Sequence, residues 1–214
     1  MFKKINSNFI RFIIWIFAYL LFVYATYETS ILRQELDFVS YLEGNLFSTQ
    51  KYFFDVSIFF LSYLFVMKRP FHSVFFLSRT KENHLLHMLL YGFKICTIYI
   101  FLTMLFFYLM PFVHGFEIVI TIEIGLSFLN LFFFVYGMYL IYILVLMHTF
   151  KEVISVFSGY FLNLIWWALL IIIHGINGDS YSMLSQFLLT RYSIVFGVIL
   201  LIFLIRLRKR DVLT

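Results

Sequence analysis

Side chains that could bind a metal ion or move a proton occur in few places in this 214-residue chain. His84 and His87 are three residues apart, a spacing that places two ligands on one face of a helix. Two histidines do not complete a zinc site, so solvated histidines at a membrane interface are the simpler interpretation. Glu117 and Glu123 are six residues apart and do not share a helix face cleanly. We therefore expect no metal ion and no cofactor in this chain.

Motifs of the common enzyme classes are also missing from the sequence. There is no Gly-x-x-x-x-Gly-Lys-Ser/Thr loop for ATP, no His-Glu-x-x-His pair for zinc and no Gly-x-Ser-x-Gly elbow for a serine nucleophile. The paired glutamates of intramembrane CAAX proteases are missing too. We therefore expect that the chain is not an enzyme.

The composition is typical of an integral membrane protein. Hydrophobic residues make up 63% of the chain and charged residues only 13%, which is more apolar surface than a soluble domain of this size can bury. The net charge of +5 does not indicate nucleic acid, because the charges separate apolar runs instead of clustering on one polar face. A single cysteine, Cys96, excludes an internal disulfide.

The alternation of apolar runs and charged segments predicts one all-α membrane domain with six transmembrane helices. Of the sixteen Lys and Arg residues, all except Arg33, Lys51 and Arg191 fall on one predicted side. Because basic residues of short loops stay in the cytoplasm, this bias predicts a multi-pass protein of the cell membrane with both termini cytoplasmic. The six predicted spans are residues 9–27, 52–67, 94–113, 125–147, 153–174 and 187–205.

Two outer segments between the spans carry further patterns. Residues 28–51 have an apolar stripe at helical spacing, which predicts a helix lying on the outer surface or capping the bundle. Residues 114–147 would form a helix of about 51 Å, too long for a hydrocarbon core of about 30 Å, so we expect 114–124 to lie outside or to be re-entrant. The stripe consists of Leu32, Leu36, Val39, Leu42 and Leu46.

The longest predicted cytoplasmic segment runs from Lys68 to Lys94 and organises the functional interpretation. It contains five of the sixteen basic residues. Its middle, Leu77 to Tyr91, has one apolar and one polar face at helical spacing. A short amphipathic helix held under a membrane domain is a surface that another protein can contact and push.

This arrangement resembles the membrane subunit of an ABC-2-type exporter. The local match is Leu77-Ser78-Arg79-Thr80, followed by the amphipathic turn and by Lys94 at the start of the third span. In that family the corresponding stretch forms a coupling helix that docks in a groove of a separate ATPase. The resemblance implies that the partner is bound by Leu77, Arg79, Lys81, His84, Leu85, Met88 and Leu89.

The resemblance also implies partners and cargo. ATP and Mg would be bound by an ATP-binding cassette ATPase subunit and not by this chain. A second copy or a related permease would complete the pathway, and lipid would surround it; no nucleic acid is expected. Small size and a Phe/Ile/Lys-rich composition are similar to Gram-positive permeases for antimicrobial peptides, which implies an apolar or amphipathic substrate such as a peptide.

Three other interpretations of the sequence stay open. A substrate-binding component of a vitamin importer has a similar size, but its Ala-x-x-x-Ala pattern is absent, since Ala18 and Ala25 are seven residues apart. A stand-alone membrane immunity or assembly protein would need no ATPase. An intramembrane enzyme with an unfamiliar motif would lose its activity through one polar substitution without losing assembly.

Overall fold

The described part of the chain is helical apart from one connection. The computed structural model describes residues 7–32, 38–47, 55–66, 81–149, 152–176, 194–195, 197–202 and 205, and no strand occurs among them. Described positions between 194 and 205 are helical as well. The elements are α1 (Ser7–Leu32), α2 (Phe38–Leu42) with a π-helical turn (Glu43–Phe47), α3 (Ser57–Val66), α4 (Lys81–Val113), α5 (Ile122–Thr149) and α6 (Glu152–Ile176).

Three of the described helices are long and apolar enough to cross a membrane. They contain Phe9–Thr29 in α1, Met88–Val113 in α4 and Ile122–Leu146 in α5. These segments overlap the predicted first, third and fourth spans. The all-helical fold is thus confirmed for the described residues, and three of their helices are suited to crossing a membrane. The count of six spans and the side of the termini stay predictions.

The remaining predicted spans are only partly matched by described helices. The predicted second span, 52–67, contains α3, whose ten residues would measure about 15 Å, half of the hydrocarbon core. The predicted fifth span, 153–174, lies inside α6, which has 25 residues. Most of the predicted sixth span lies outside the described residues.

The described part of the predicted amphipathic segment and the predicted third span belong to one helix. Residues Lys81–Val113 form one helix of 33 residues, so no separate helix ends at Tyr91. The only helix-weakening residue at that point is Gly92, and one glycine costs a helix about 1 kcal/mol. Continued backbone hydrogen bonds and the packing of Gly92 described below outweigh that cost.

The described helices divide into two compact units. The first comprises α1, α2, α3 and the part of α4 from Phe101 onward with the connection to Ile120. The second comprises α4 up to Ile100, α5, α6 and the C-terminal residues. Residues of helix α4 therefore occur in both units.

Helix α1 is the centre of the first unit. The indole Nε1 of Trp15 donates to Ser62 Oγ of α3 at 2.9 Å, and the hydroxyls of Tyr19 and Thr103 of α4 are 2.8 Å apart. Further toward the end of α1, the ring of Phe22 contacts Phe59. The residue pairs run in opposite order between α1 and α3, so those two helices are antiparallel. Buried hydrogen bonds of this kind hold apolar helices together where the hydrophobic effect between them is weak.

The helix predicted in residues 28–51 is present in part, as α2 and the π-helical turn after it. Leu42 and Leu46 of the stripe are fully buried, whereas Val39 is partly exposed. Leu36 and the side chain of Leu32 lie outside the described residues. Aromatic contacts add to the stripe: Phe38 packs on Tyr108, and Tyr41 packs on Phe107 and Tyr27. The π-helical turn that follows α2 accounts for the consecutive buried residues at its end, including Phe47.

Helix α4 ends in a Schellman motif. The amide of Phe116 donates to the carbonyl of Pro111, and the amide of Gly115 donates to that of Phe112, each at 3.1 Å. Gly115 has φ +79°, the left-handed conformation that this cap requires. His114 adds a hydrogen bond of 2.9 Å from Nδ1 to the carbonyl of Met110. The last carbonyls of α4 are therefore satisfied at the point where the chain turns.

Helices α4, α5 and α6 follow one another as antiparallel neighbours in the second unit. The ring of Phe93 contacts Phe132, and Met88 lies opposite Tyr139, so the order along α5 is reversed. Gly159 of α6 approaches the backbone of α5, because a side chain there would lie 3.1 Å from the carbonyl oxygen of Met138. Only two residues separate α5 from α6, so these helices form a tight hairpin.

Candidate partner-binding site

The predicted partner-binding residues fall at the beginning of α4 and just before it. Leu77 and Arg79 lie outside the described residues. The first two turns of α4 contain Lys81, His84 and Leu85, whose side chains are not described. Met88 is buried at 5% exposure, and Leu89 is partly exposed. The role of these seven residues in binding a partner stays a prediction.

Two tyrosines of α5 hold this part of α4 through its backbone. The hydroxyl of Tyr139 donates to the carbonyl of Met88 at 2.9 Å, and that of Tyr136 donates to the carbonyl of Leu89 at 3.4 Å. The second contact is long for a hydrogen bond between oxygens and is the weaker of the two. Both acceptors belong to the last two of the seven predicted partner-binding residues.

Gly92 makes the closer of the two contacts possible. An ideal Cβ on Gly92 would overlap the ring of Tyr139. Because glycine has no side chain, the ring can lie against the backbone of α4 and its hydroxyl can reach one turn back to Met88. We call Gly92, Tyr136 and Tyr139 the tyrosine clamp.

Neighbouring aromatic rings fix the clamp in place. The rings of Tyr136 and Tyr139 are stacked at 6.3 Å between centroids, and Phe132 stacks on Tyr136 at 5.8 Å. Phe93 of α4 contacts both Phe132 and Tyr136 edge-on. Rings in such contacts lose much of their freedom to rotate away, so they add to the contact between α4 and α5.

The groups of the tyrosine clamp can hold two helices together but are not suited to catalysis. Tyrosine hydroxyls and backbone carbonyls form hydrogen bonds but supply neither a nucleophile nor a metal ligand at this place. No group of three or more His, Cys, Asp or Glu residues suited to a metal ion occurs within the described ranges. The expectations that the chain has no cofactor and is not an enzyme stay predictions.

The two glutamates considered for an ion site, Glu117 and Glu123, are both exposed. Glu117 is exposed in the connection after α4, and Glu123 is exposed in the first turn of α5. Thr121 caps that helix: its Oγ1 accepts from the amide of Ile124 at 3.2 Å, and its carbonyl accepts from Gly125. A carboxylate beside this cap stabilises the positive end of the helix, which accounts for Glu123.

The clamp was not predicted from the sequence, although a signal for it exists. Tyr136 and Tyr139 are three residues apart, so they share one face of a helix. A tyrosine inside an apolar helix needs a partner for its hydroxyl. Tyrosines on one helix and a lone glycine such as Gly92 on another are therefore a pattern that points to a ring packed against a backbone.

Comparisons with protein-family models, with curated proteins and with solved structures find no match to this chain. The candidate site is accordingly defined by the geometry of the chain itself.

Proposed function

We propose that this chain is the membrane-spanning subunit of an ABC-type exporter that moves an apolar or amphipathic substrate. A separate ATP-binding cassette ATPase, carrying ATP and Mg, would supply the energy. The observation that supports this function best is the continuity of α4. The predicted docking turns from Lys81 onward belong to the same helix as the membrane-crossing segment Met88–Val113.

The tyrosine clamp would allow a movement of α4 to be transmitted to α5. A force applied by a partner at Lys81 to Leu85 would meet a helix whose next turn is tied to α5 by two hydroxyl groups. The two helices would then move together as a rigid body, which is the usual way in which a packed structure converts a local push into domain movement. A second copy or a related permease would form the other half of the pathway.

The test is capture of the ATPase by the tagged chain in mild detergent. We expect an ATPase, identified by mass spectrometry through its Gly-x-x-x-x-Gly-Lys-Ser/Thr loop, to co-purify in a constant ratio. Arg79→Gln and Leu85→Ala should each lower that ratio several-fold, because they remove a charge and an apolar side chain from the proposed docking turns.

Matched controls separate docking from general damage. Arg11→Gln removes a charge from an exposed position of α1, and Ile154→Ala shortens an exposed side chain in the first turn of α6. Both controls should keep the ATPase. The proposal is wrong if all four variants retain it equally, or if the folded parent chain is functional without any ATPase.

The alternatives lead to different results in the same experiment. A vitamin-importer component would co-purify with a second membrane scaffold protein as well as with ATPases. A stand-alone immunity or assembly protein would be captured without an ATPase while remaining folded by circular dichroism.

A further inference from the structure

The connection between α4 and α5 exposes apolar side chains where a polar loop is expected. Val119 and Ile120 are 42% and 78% exposed. At the end of α4, Phe112 and Val113 are 63% and 68% exposed. Connections in water are usually built from Gly, Pro, Asn, Asp and Ser, whereas residues 116–120 contain a single polar side chain, Glu117.

The position of this connection relative to a bilayer follows from lengths. The apolar segment Met88–Val113 has 26 residues, or about 39 Å of helix, against a hydrocarbon core of about 30 Å. The end of α4 therefore reaches the headgroup region. The turn at His114 and Gly115 reverses the chain there, so Val119 and Ile120 cannot lie far from that depth.

The exposed side chains continue the surface of a membrane-crossing helix. Phe101, Leu105, Leu109 and Phe112 are exposed along α4 at spacings of three and four residues, which is one helix face. In a membrane that face contacts acyl chains. Apolar residues that extend it beyond the helix end are suited to the boundary between headgroups and acyl chains, as in interfacial anchors.

We propose that the connection from Phe116 to Ile120 is a lipid anchor, in which Val119 and Ile120 insert into the adjacent leaflet while Glu117 stays in water. The ligand is the acyl-chain region of the bilayer and not a protein. This inference depends on the membrane-crossing segment of α4 and is independent of the proposed export function.

The test uses single spin labels on the full chain in vesicles of phosphatidylcholine mixed with phosphatidylglycerol. Cys96, the one cysteine of the chain, is first replaced by Ala. Labels are then attached to Val119→Cys, Ile120→Cys and, as the matched control, Glu117→Cys. We expect oxygen, which is enriched in lipid, to relax the labels at 119 and 120 more than a water-soluble nickel chelate does. At 117 we expect the reverse.

Two outcomes would overturn the proposal. Stronger relaxation by the nickel chelate at 120 would place the connection in water, and weak relaxation by both reagents would mean that protein covers it. If Cys96→Ala impairs folding, Ile120→Trp in the parent chain replaces the labels. Lipids brominated on the acyl chains should then quench the added fluorescence, and its resistance to them would contradict the anchor.

Discussion

Buried hydroxyl groups are the residue-scale feature that joins the helices of this chain. Tyr19 and Thr103 in the first unit, and Tyr139 in the second, are almost completely buried, and each hydroxyl has a partner on another helix. Lipid is as apolar as a leucine side chain, so such hydrogen bonds and close packing contribute much of the attraction between helices in a membrane.

Removing the hydroxyl of Tyr139 tests the stronger contact of the clamp. We expect Tyr139→Phe to lower the free energy of unfolding by about 0.5 to 1.5 kcal/mol, because the bond to Met88 is lost while the ring stays. Tyr136→Phe is the matched control and should cost less, since its contact of 3.4 Å is weak. Unfolding in mixed detergent micelles measures both, and equal losses would contradict this ranking.

The absence of a side chain at Gly92 is the second testable feature of the clamp. Gly92→Ala places a methyl group in the ring of Tyr139, and we expect a loss of about 1 to 3 kcal/mol, typical of overpacking. Gly125→Ala is the control, because nothing lies within 4 Å of its Cβ position. It should stabilise helix α5 by up to about 1 kcal/mol. A Gly92→Ala variant as stable as the parent would show that the ring does not lie there.

At this scale the sequence is informative about charges and less informative about contacts. The exposed position of Glu123 follows from the cost of a carboxylate inside a membrane. The partners of Tyr136 and Tyr139 do not follow, because a tyrosine hydroxyl can be satisfied by any nearby carbonyl. Which carbonyl it reaches depends on how two helices pack, and here the ring of Tyr139 lies where a side chain on Gly92 would be.

Among the elements, the C-terminal cap of α4 depends on one backbone conformation. We expect Gly115→Ala to cost about 1 to 2 kcal/mol, because a residue with a Cβ is strained at φ +79°. The space around Gly115 is open, so strain is the only source of the loss. Gly115→Asn should cost clearly less, since asparagine tolerates this conformation. Thermal unfolding in detergent compares the two, and equal melting temperatures would argue against the strained cap.

Element boundaries were predictable where apolar runs end in charges and less so elsewhere. Helices α1, α4 and α5 contain the predicted first, third and fourth spans because long apolar runs leave few alternatives. The short amphipathic helix predicted before the third span is not confirmed, because its described residues belong to the same helix as that span. The π-helical turn that begins at Glu43 was not predicted from the sequence.

For the whole molecule, the distribution of basic residues predicts the side of each connection. We expect a cysteine at Glu117 to react with a membrane-impermeant maleimide in intact cells, and one at Asp211 to react only after permeabilisation. Both substitutions are made in the Cys96→Ala chain and leave every basic residue in place. The opposite labelling would reverse the predicted orientation. If both sites react in intact cells, a cysteine at Lys4 reports the side of the N-terminus. Protection of that cysteine would then contradict the prediction that both termini lie on one side.

Composition predicts the class of protein better than it predicts the activity. A hydrophobic fraction of 63% is sufficient to predict a membrane protein, because no soluble arrangement buries that much apolar surface. Transport, by contrast, depends on a partner and a cargo whose binding needs only a few residues. The prediction of partner binding around Leu85 therefore depends on a few residues and not on the overall composition. The capture experiment tests it.

The short connection between α5 and α6 also has a consequence for how the protein is made. Two residues separate Thr149 from Glu152. The nascent chain therefore has no polar segment there long enough for the two helices to insert into a membrane one after the other. We expect these two helices to leave the translocation channel together, with Gly159 already against Met138. Errors in this hairpin would then appear during biosynthesis, as chains degraded before they accumulate, and not as a less stable finished protein.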